Sequence, residues 1–300
     1  MNILLLYFTG TYNTRFVTSK LRESLEAEGC TVTTYEIDPA NEECLDFSPY
    51  DIVGLGSPIY GFAAPWPFLR FIRKQKFPEG KRLFIYKNSG ECYHENDASH
   101  KYVLRKLRHD KARIENEYHF LMPYNIHFRY DDYLVREMFE MDRKLMRILV
   151  HEVLHEVPNL KPYKLWPRVV ASVVSCPQYI AGDVNSFLYR VDMSKCIDCG
   201  LCIKNCPKHN IYKDKNGNIR FHHDCQMCMR CSLFCPKDAF YIGFLDDWGW
   251  RVNGAYNFKK IEQLPLPEPQ IINKNTTGFF DCFIEKYDVV NRRYNELFND

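Results

Sequence analysis

The sequence lacks an excess of charge of either sign, because 40 lysine and arginine residues stand against 38 aspartate and glutamate residues. No global field therefore favours nucleic acid or an anionic membrane as a partner. Long hydrophobic runs are also missing: the most apolar stretches, residues 3–8 and 169–180, are shorter than the roughly 18 residues of a membrane-spanning helix. The first residues lack the basic region and cleavage site of a signal peptide. We therefore expect a cytoplasmic protein, and 300 residues suggest about two domains.

Cysteine, by contrast, is abundant: the chain has 13, and eight of them fall between residues 196 and 235. A secreted disulfide scaffold would be short and loop-rich throughout, whereas the first half of this chain has the pattern of an ordinary α/β domain. Because the cytosol keeps thiols reduced, the dense block indicates metal binding. We interpret Cys92, outside the block, as an ordinary loop thiol. The scattered cysteines are Cys30, Cys44, Cys92, Cys176 and Cys282.

The first half of the chain alternates between short apolar runs and segments with helical spacing of apolar residues. The predicted strands are residues 3–8, 31–37, 51–55, 83–87 and 117–122. The predicted helices are residues 15–28, 68–74, 99–108 and 131–157. Residues 39–49, between the second and third strands, are acidic and loop-like. The alternation predicts an α/β fold with a doubly wound parallel five-stranded sheet covered by helices on both faces.

The composition changes along the chain and predicts a division into domains. We assign residues 1–157 to the sheet domain, 158–190 to a linker and docking segment, 191–245 to a small cysteine-rich domain and 246–300 to a C-terminal tail. Four prolines interrupt the linker, where we expect short helices or a helix running into a strand. The tail passes through an extended proline-rich stretch, and we expect a last helix over residues 279–298.

Two runs in the cysteine block share the spacing C-x₂-C-x₂-C-x₃-C-P. The first run is Cys196, Cys199, Cys202, Cys206 and Pro207, and the second is Cys225, Cys228, Cys231, Cys235 and Pro236. This is the [4Fe–4S] ligation pattern of bacterial ferredoxins, in which the fourth cysteine of each run binds the cluster of the other run. A zinc ribbon, built from pairs of C-x₂-C, is the alternative, but it does not require the full pattern.

The spacing therefore predicts two crossed ligand sets. The first cluster takes Cys196, Cys199, Cys202 and Cys235, and the second takes Cys225, Cys228, Cys231 and Cys206. Residues 191–245 also carry eight lysines and arginines against five aspartates. These charges either neutralise the anionic clusters or form a solvated basic face, and they could steer an acidic redox partner.

Polar and aromatic residues follow three of the predicted strands, where a doubly wound sheet binds its ligands. The loop after the first strand precedes a helix, so its backbone N–H groups and hydroxyls suit a phosphate bound by neutral donors. It lacks the lysine of a P-loop. Aromatic and small residues in the other two loops could sandwich a flat ring. The three loops are Thr9, Gly10, Thr11, Tyr12, Asn13 and Thr14; Ser57, Pro58, Ile59, Tyr60 and Gly61; and Asn88, Ser89 and Gly90.

On these loops the first domain resembles a flavodoxin, and on its two cysteine runs the second resembles a bacterial two-cluster ferredoxin. The order of the two resembles a flavodoxin–ferredoxin fusion family found in anaerobes. The resemblance implies a flavodoxin-like fold, followed by a small α+β ferredoxin domain, and it implies that the flavin is FMN. It leaves open whether Tyr60, Trp66 or Tyr93 stacks on the flavin ring.

Three functions are compatible with these parts. The first is an electron-transfer protein that passes electrons between two [4Fe–4S] clusters and FMN, with a reductase or a ferredoxin as its redox partner. The second is an FMN-dependent reductase of a small organic acceptor, with the clusters as the entry port; it needs an open pocket over the flavin. The third is a non-redox protein in which the clusters are structural or sensory and the flavodoxin-like domain is empty.

A zinc hydrolase is a further possibility that we reject. His151, Glu152 and His155 spell the H-E-x-x-H pattern of zinc proteases. The pattern is short, it lies at the end of the long helix predicted to cover the sheet, and no third ligand or downstream motif accompanies it. We therefore assign these residues to the helix rather than to a metal site.

Overall fold

The computed structural model describes residues 1–41, 43–252 and 254–298, and the first half of the chain forms one five-stranded sheet. The strands are β1 (Asn2–Tyr7), β2 (Thr31–Glu36), β3 (Ile52–Pro58), β4 (Arg82–Ser89) and β5 (Arg113–Leu121). They lie in the order β2-β1-β3-β4-β5, and all neighbouring pairs are parallel. This order is that of flavodoxin, with its switch point between β1 and β3. The predicted flavodoxin-like sheet is confirmed.

Four helices cover the two faces of the sheet. They are α1 (Asn13–Ala27), α2 (Trp66–Lys74), α3 (Lys101–His109) and α4 (Asp132–Leu154). Successive side chains of β1 point to opposite faces, so Ile3 and Leu5 pack in the core with α1 and α4. Leu4 and Leu6 pack in the other core with α2 and α3. The continuous apolar run that predicted a buried strand therefore supplies both cores.

Two of the predicted ligand loops begin inside strands rather than after them. Ser57 pairs with Lys87, and Pro58 pairs with Asn88, in the parallel register of β3 and β4. Ser89 ends β4 in register with Leu121 of β5. The strand predictions ended too early because these polar residues lack the apolar character by which strands are recognised, although their backbones continue the ladder.

The predicted linker contains a single long helix, α5 (Leu165–Ser186), that leads into a strand. Pro177 lies inside this helix, so the expectation that prolines break the segment was wrong at that position. Contacts that α5 makes with its neighbours favour a continuous helix over a break at Pro177. Tyr179 donates to the carbonyl oxygen of Ala64 in the sheet domain, at 3.0 Å. Asp183 accepts from the backbone N–H of Cys225 in the cysteine-rich domain, at 2.8 Å.

The cysteine-rich domain is a small α+β unit, as predicted. Its elements are β6 (Tyr189–Val191), α6 (Leu201–Lys204), β7 (Ile211–Lys213), β8 (Ile219–Phe221), α7 (Arg230–Leu233) and β9 (Phe240–Ile242). β6 pairs with β9 and β7 pairs with β8, both antiparallel. Aliphatic and aromatic side chains from these strands form a small core against which most of the block's cysteines pack.

The short helix α8 (Phe244–Asp247) crosses from the cysteine-rich domain into the tail, which contains α9 (Phe258–Glu262) and α10 (Asp281–Phe298). The helix predicted at residues 279–298 is confirmed, but it begins at Asp281, directly after a 3₁₀ turn at Gly278–Phe280. α10 buries Phe283, Tyr287 and Val290 in the core that contains α4. Within the described residues, every helix is too short or too polar to cross a membrane.

Candidate iron–sulfur site

The two cysteine runs fold in the same way. In each run the second residue after the first cysteine is left-handed, at Asp198 (φ 56°) and Met227 (φ 52°). Gly200 (φ 68°) and Met229 (φ 64°) are also left-handed and immediately precede α6 and α7. Residues other than glycine rarely adopt this conformation, and they concentrate in loops that clamp ligands. Both runs therefore form equally tight loops.

Each tight loop borders a small cavity lined by thiols. The lining of the first cavity includes Cys196, Cys199, Cys202 and Cys235. The lining of the second includes Cys206, Cys225, Cys228 and Cys231. Each predicted ligand set is thus brought together, and Cys231 borders the first cavity as well. No three His, Cys, Asp or Glu side chains in the described ranges are grouped to hold a single metal ion, and the thiols instead surround a space.

Burial controls the protonation of these thiols. Desolvation raises the pKa of Cys202 to about 11 and that of Cys225 to about 12. It also raises the pKa of Cys231 well above its ordinary value. Such thiols stay protonated at neutral pH unless a metal centre supplies positive charge, and metal binding then releases their protons.

Backbone N–H groups point at sulfur atoms of both runs. The N–H of Asn210 donates to Sγ of Cys206 at 3.3 Å, and the N–H of Ala239 donates to Sγ of Cys235 at 3.4 Å. Hydrogen bonds to sulfur favour the thiolate and are among the features that set cluster potentials. The thiols and their hydrogen-bond donors therefore fit iron–sulfur chemistry.

Arg230, beside the second cavity, joins the cysteine-rich domain to the sheet. It is only 7% exposed, and its Nη2 donates to the carbonyl oxygen of Thr9 at 2.7 Å. Its Nε donates to the carbonyl oxygen of Gly10. The guanidinium also lies 4.5 Å from the centre of the Tyr12 ring, which meets the ring of Phe234 edge-on. A buried cation is satisfied here by two carbonyls of the first ligand loop.

Gly10 is the point of closest approach between the two domains. A Cβ atom placed on Gly10 would collide with the hydroxyl of Tyr60 and would lie 3.0 Å from Cβ of Cys228. The lining of the second cavity therefore sits directly on the carboxyl edge of the sheet.

The three predicted ligand loops meet at Asn88. Its side-chain oxygen accepts from Thr14 at 2.8 Å, and its backbone oxygen accepts from the N–H of Ile59 at 2.8 Å. Elsewhere in the loops, Ser57 contacts His100 Nε2 at 2.8 Å, and Ser89 donates to the carbonyl of Glu91 at 2.6 Å.

The rest of the first loop is held by residues after β5. Asn13 donates to the carbonyl oxygen of Pro123 at 2.9 Å, and Thr11 accepts from Asn125. The hydroxyl of Thr9 is buried and has no hydrogen-bond partner among the described residues. That hydroxyl, beside the N-terminus of α1, suits a phosphate.

Side chains of the protein lie against two glycines of these loops. The face of Gly10 is covered by Tyr60 and Cys228, and a Cβ on Gly90 would collide with the ring of Tyr124. Gly61 lies at the tip of a tight turn that hydrogen bonds between Tyr60 and Ala63 close. Tyr60 and Cys228 thus occupy the space over Gly10, and Tyr124 occupies the space over Gly90, so a ring could lie on either glycine only after these side chains moved.

The three aromatic candidates for stacking on a flavin have different neighbours. Tyr60 lies against Gly10. Trp66 lies 5.5 Å from the ring of Tyr179 on α5, and Tyr93 meets Phe279 of the tail edge-on. The structure therefore does not bring Tyr60, Trp66 and Tyr93 together around one ring.

Comparison with known proteins gives the cysteine-rich domain its family. Residues 195–240 match the family model described as "4Fe-4S dicluster domain". Pyruvate synthase subunit PorD of Methanocaldococcus jannaschii is 36% identical over 59 residues, which are 19% of this chain and 69% of that protein. Through this segment the chain belongs to the 4Fe-4S dicluster ferredoxins. An uncharacterized ferredoxin of the same organism is 40% identical over 57 residues, 17% of this chain and 73% of that protein.

The sheet domain is similar to solved flavodoxins. A flavodoxin of Streptococcus pneumoniae TIGR4 is 16% identical with a TM-score of 0.39, over 52% of this chain and 100% of that chain. Flavodoxin 2 of Bacillus cereus is 18% identical with a TM-score of 0.39, over 52% of this chain and 99% of that chain. The strand order, rather than these low identities, assigns the fold. The protein thus joins a flavodoxin-like domain to a dicluster ferredoxin domain, and the pair supports an electron-transfer role.

Two residues that lie against the predicted ligand loops escaped the sequence analysis. Arg230 was counted only among the basic residues of the dicluster domain, and Tyr124 was not singled out. The one available signal for Arg230 was its position between two cysteines of a ligand run, because a charged side chain there must find a partner. Nothing in the sequence placed Tyr124 against Gly90.

The residues of the H-E-x-x-H pattern lie at the end of α4 and immediately after it. The carboxylate of Glu152 is buried and accepts from the hydroxyl of Tyr118 at 2.8 Å and from Nε of Arg293 at 2.8 Å. The rings of His151 and His155 stack on each other with centres 4.3 Å apart. The glutamate therefore anchors α10 to α4.

Proposed function

We propose that this protein transfers electrons through two [4Fe–4S] clusters held by its dicluster domain. The ligand sets are Cys196, Cys199, Cys202 and Cys235 for the first cluster, and Cys225, Cys228, Cys231 and Cys206 for the second. The proposal rests on the two cavities, each lined by one complete set. Each cubane, when bound, accepts and releases one electron.

The residues around the second set position it on the sheet. Arg230 fixes the loop of Cys228 and Cys231 by its bonds to Thr9 and Gly10. Its positive charge, held in a buried place, favours the additional negative charge of a reduced centre. The second set thus faces the sheet domain, and Arg230 holds it there.

The first set faces solvent. Cys199 is exposed, and its neighbour Ile197 is 56% exposed. An exposed apolar side chain beside a redox centre suits a short-lived contact with a redox protein, such as a reductase or another ferredoxin. We propose that electrons enter or leave the protein at this face.

Double variants test the ligand sets. Cys199→Ser with Cys235→Ser removes two ligands from one proposed cluster, so the anoxic protein should retain about half of its iron. Cys199→Ser with Cys206→Ser removes one ligand from each cluster and should leave little iron. Both variants lack the same number of thiols, so each serves as the control for the other. The reverse order of iron contents would contradict the crossed sets.

Reduction of the anoxic protein tests the function itself. Dithionite should bleach the visible absorption and produce electron paramagnetic resonance signals of about two unpaired electrons per chain, one for each cluster. Clusters that are present but that resist reduction would favour the structural or sensory alternative over electron transfer.

A second candidate adds a flavodoxin-type FMN to this pathway. It is favoured by the buried, unpartnered hydroxyl of Thr9 at the N-terminus of α1 within the described chain. In this candidate the phosphate loop, Thr9 to Thr14, holds FMN together with the loops from Ser57 and Asn88. Tyr60 and Tyr124 would have to move from Gly10 and Gly90 to admit the ring.

Flavin content separates the two candidates. The protein should be purified without oxygen, denatured and assayed for released FMN, and flavin-free protein should then be titrated with FMN. The covered glycines predict little bound FMN. One FMN per chain would establish the second candidate. An FMN-dependent reductase, which needs an open pocket over the ring, would further require turnover of a small acceptor.

A further inference from the structure

Two of the scattered cysteines contact each other across the fold. Cys92 follows β4, and Cys282 is the second residue of α10. Although they are 190 residues apart in the sequence, Sγ of Cys92 lies only 2.6 Å from Sγ of Cys282. Both side chains are partly exposed, so a small reagent can reach the pair. Spacing gave no indication of this contact, because it joins the sheet domain to the tail.

The surroundings of the two sulfur atoms are asymmetric. The neighbouring thiol of Cys92 lowers the pKa of Cys282, whereas the neighbouring thiol of Cys282, together with burial, raises the pKa of Cys92. Cys282 lies in the first turn of an eighteen-residue helix, where the helix dipole favours a thiolate. Cys282 is therefore suited to attack a disulfide first, and Cys92 is suited to attack the mixed disulfide that results.

Further charged groups surround the pair on both elements. Lys286 lies one turn after Cys282 on α10, and its charge favours a thiolate at Cys92. Glu91, next to Cys92, opposes a thiolate at Cys282 and has one carboxylate oxygen without a partner among the described residues. Asp142 of α4 is buried, and its pKa is raised by that burial while Lys286 opposes the rise. The site is thus a polar cluster beneath the tail.

We propose that Cys92 and Cys282 form a reversible dithiol–disulfide pair that reacts with low-molecular-weight disulfides. The Cys282 thiolate attacks one sulfur of the reagent, forming a mixed disulfide and expelling one thiolate. Cys92 loses its proton and attacks Sγ of Cys282, which closes the protein disulfide and expels the second thiolate. The two expelled thiolates take up the two protons, so the protein thiols lose two electrons and the reagent gains them.

The disulfide would fasten the tail to the carboxyl edge of the sheet. Tyr93, next to Cys92, already meets Phe279 of the tail with ring centres 5.9 Å apart. Oxidation therefore adds a covalent link between the start of α10 and the loop that follows β4, in a helix that side-chain packing already holds in the reduced protein. This proposal does not depend on the number of clusters or on FMN.

The test uses the anoxic holoprotein equilibrated with mixtures of reduced and oxidised glutathione. Free thiols are then trapped by alkylation, and peptides are identified by mass spectrometry. As glutathione becomes more oxidised, we expect a linked peptide that joins residues 92 and 282. Its absence at every ratio, while the exposed thiol of Cys44 acquires glutathione, would overturn the proposal.

Variants resolve the order of the two steps. Cys92→Ser removes the second thiol, so glutathione should accumulate on Cys282 several-fold above the wild-type level. Cys282→Ser should leave Cys92 largely unmodified, and Cys44→Ser should form the same linked peptide as the wild type. Equal modification of Cys282 in the wild type and in Cys92→Ser would contradict the mechanism. Iron content, measured in each sample, shows separately whether the clusters survive.

Discussion

The Arg230 guanidinium donates a hydrogen bond to the carbonyl oxygen of Thr9, at 2.7 Å, and so joins a cluster-binding loop to the edge of a flavodoxin-like sheet. The two residues lie in different domains and are 221 positions apart. Because Arg230 stands between Cys228 and Cys231, the position of the second cysteine run and the conformation of the first ligand loop depend on each other. This relationship makes the domain contact testable by substitution.

We expect Arg230→Leu to lower the free energy of unfolding by about 3 kcal/mol, because it leaves the buried carbonyls of Thr9 and Gly10 without donors. Urea unfolding of the anoxic protein measures the loss. Hydrogen exchange should also rise in residues 9–14.

Arg220→Leu is the matched control. Arg220 pairs with Asp214 at 3.0 Å, with its own side chain 57% exposed, so its loss should cost less than about 1 kcal/mol. Equal losses in the two variants would contradict the role of Arg230 at the domain contact.

Gly10→Ala should be destabilising because the new methyl group meets the hydroxyl of Tyr60. We expect a cost of roughly 1–3 kcal/mol, as for other overpacked sites. Tyr60→Phe removes the obstructing oxygen, so Gly10→Ala should cost about half as much in that background. A double-mutant cycle of unfolding free energies measures this coupling. Strictly additive costs would mean that the two side chains do not touch.

His100 makes stability depend on pH. It is fully buried between Ser57 and Ser99, and burial, helped by the charge of Lys87, holds its pKa well below the usual range. In the unfolded chain the imidazole of His100 takes up a proton at about pH 6.5, whereas in the folded protein it stays neutral at that pH. Stability is therefore fully present above that pH, and it is lost as the pH falls toward the folded pKa.

The change in the free energy of unfolding with pH is measured by urea unfolding between pH 7.5 and pH 5.5. This single group contributes up to about 1.4 kcal/mol per pH unit, and His100→Gln should remove that part. His119 is partly buried and its pKa is also lowered by desolvation, so some dependence of stability on pH should remain in the His100→Gln variant. The exposed His94 provides the control, and equal slopes in His94→Gln and His100→Gln would count against the assignment.

Glu152 should behave as a structural residue rather than a catalytic one. Glu152→Gln weakens the bonds to Tyr118 and Arg293, and we expect a loss of about 2 kcal/mol in unfolding free energy. His155→Ala, at an exposed position, should change stability by less than about 0.5 kcal/mol. Metal analysis should give the same zinc content in both variants and the wild type. Zinc that disappears in either variant would revive the hydrolase alternative.

The sequence predicted the features that depend on local pattern. The strands of the sheet were recognised because runs such as residues 3–8 are uniformly apolar, and the cysteine spacing identified the ligand runs without any knowledge of the fold. The polar ends of β3 and β4 were missed, because Ser57 and Asn88 continue the hydrogen-bond ladder without an apolar side chain to mark it.

Features that join distant parts of the chain could not be predicted. The helix α5 runs through Pro177, and contacts with the sheet domain through Trp166 near its start and with the cysteine-rich domain through Asp183 near its end hold it in place. The covering of Gly90 by Tyr124 and the contact of Cys92 with Cys282 likewise arise only when the chain folds. The three loops predicted to bind a flavin meet at Asn88, but the sequence could not reveal that Tyr60 and Tyr124 lie against their glycines.

The content of iron, acid-labile sulfide and zinc in protein purified without oxygen tests the central claim most directly. Two cubanes per chain predict about eight irons and about eight sulfides, with no stoichiometric zinc. Zinc bound without sulfide would contradict the assignment of the thiol-lined cavities to electron transfer.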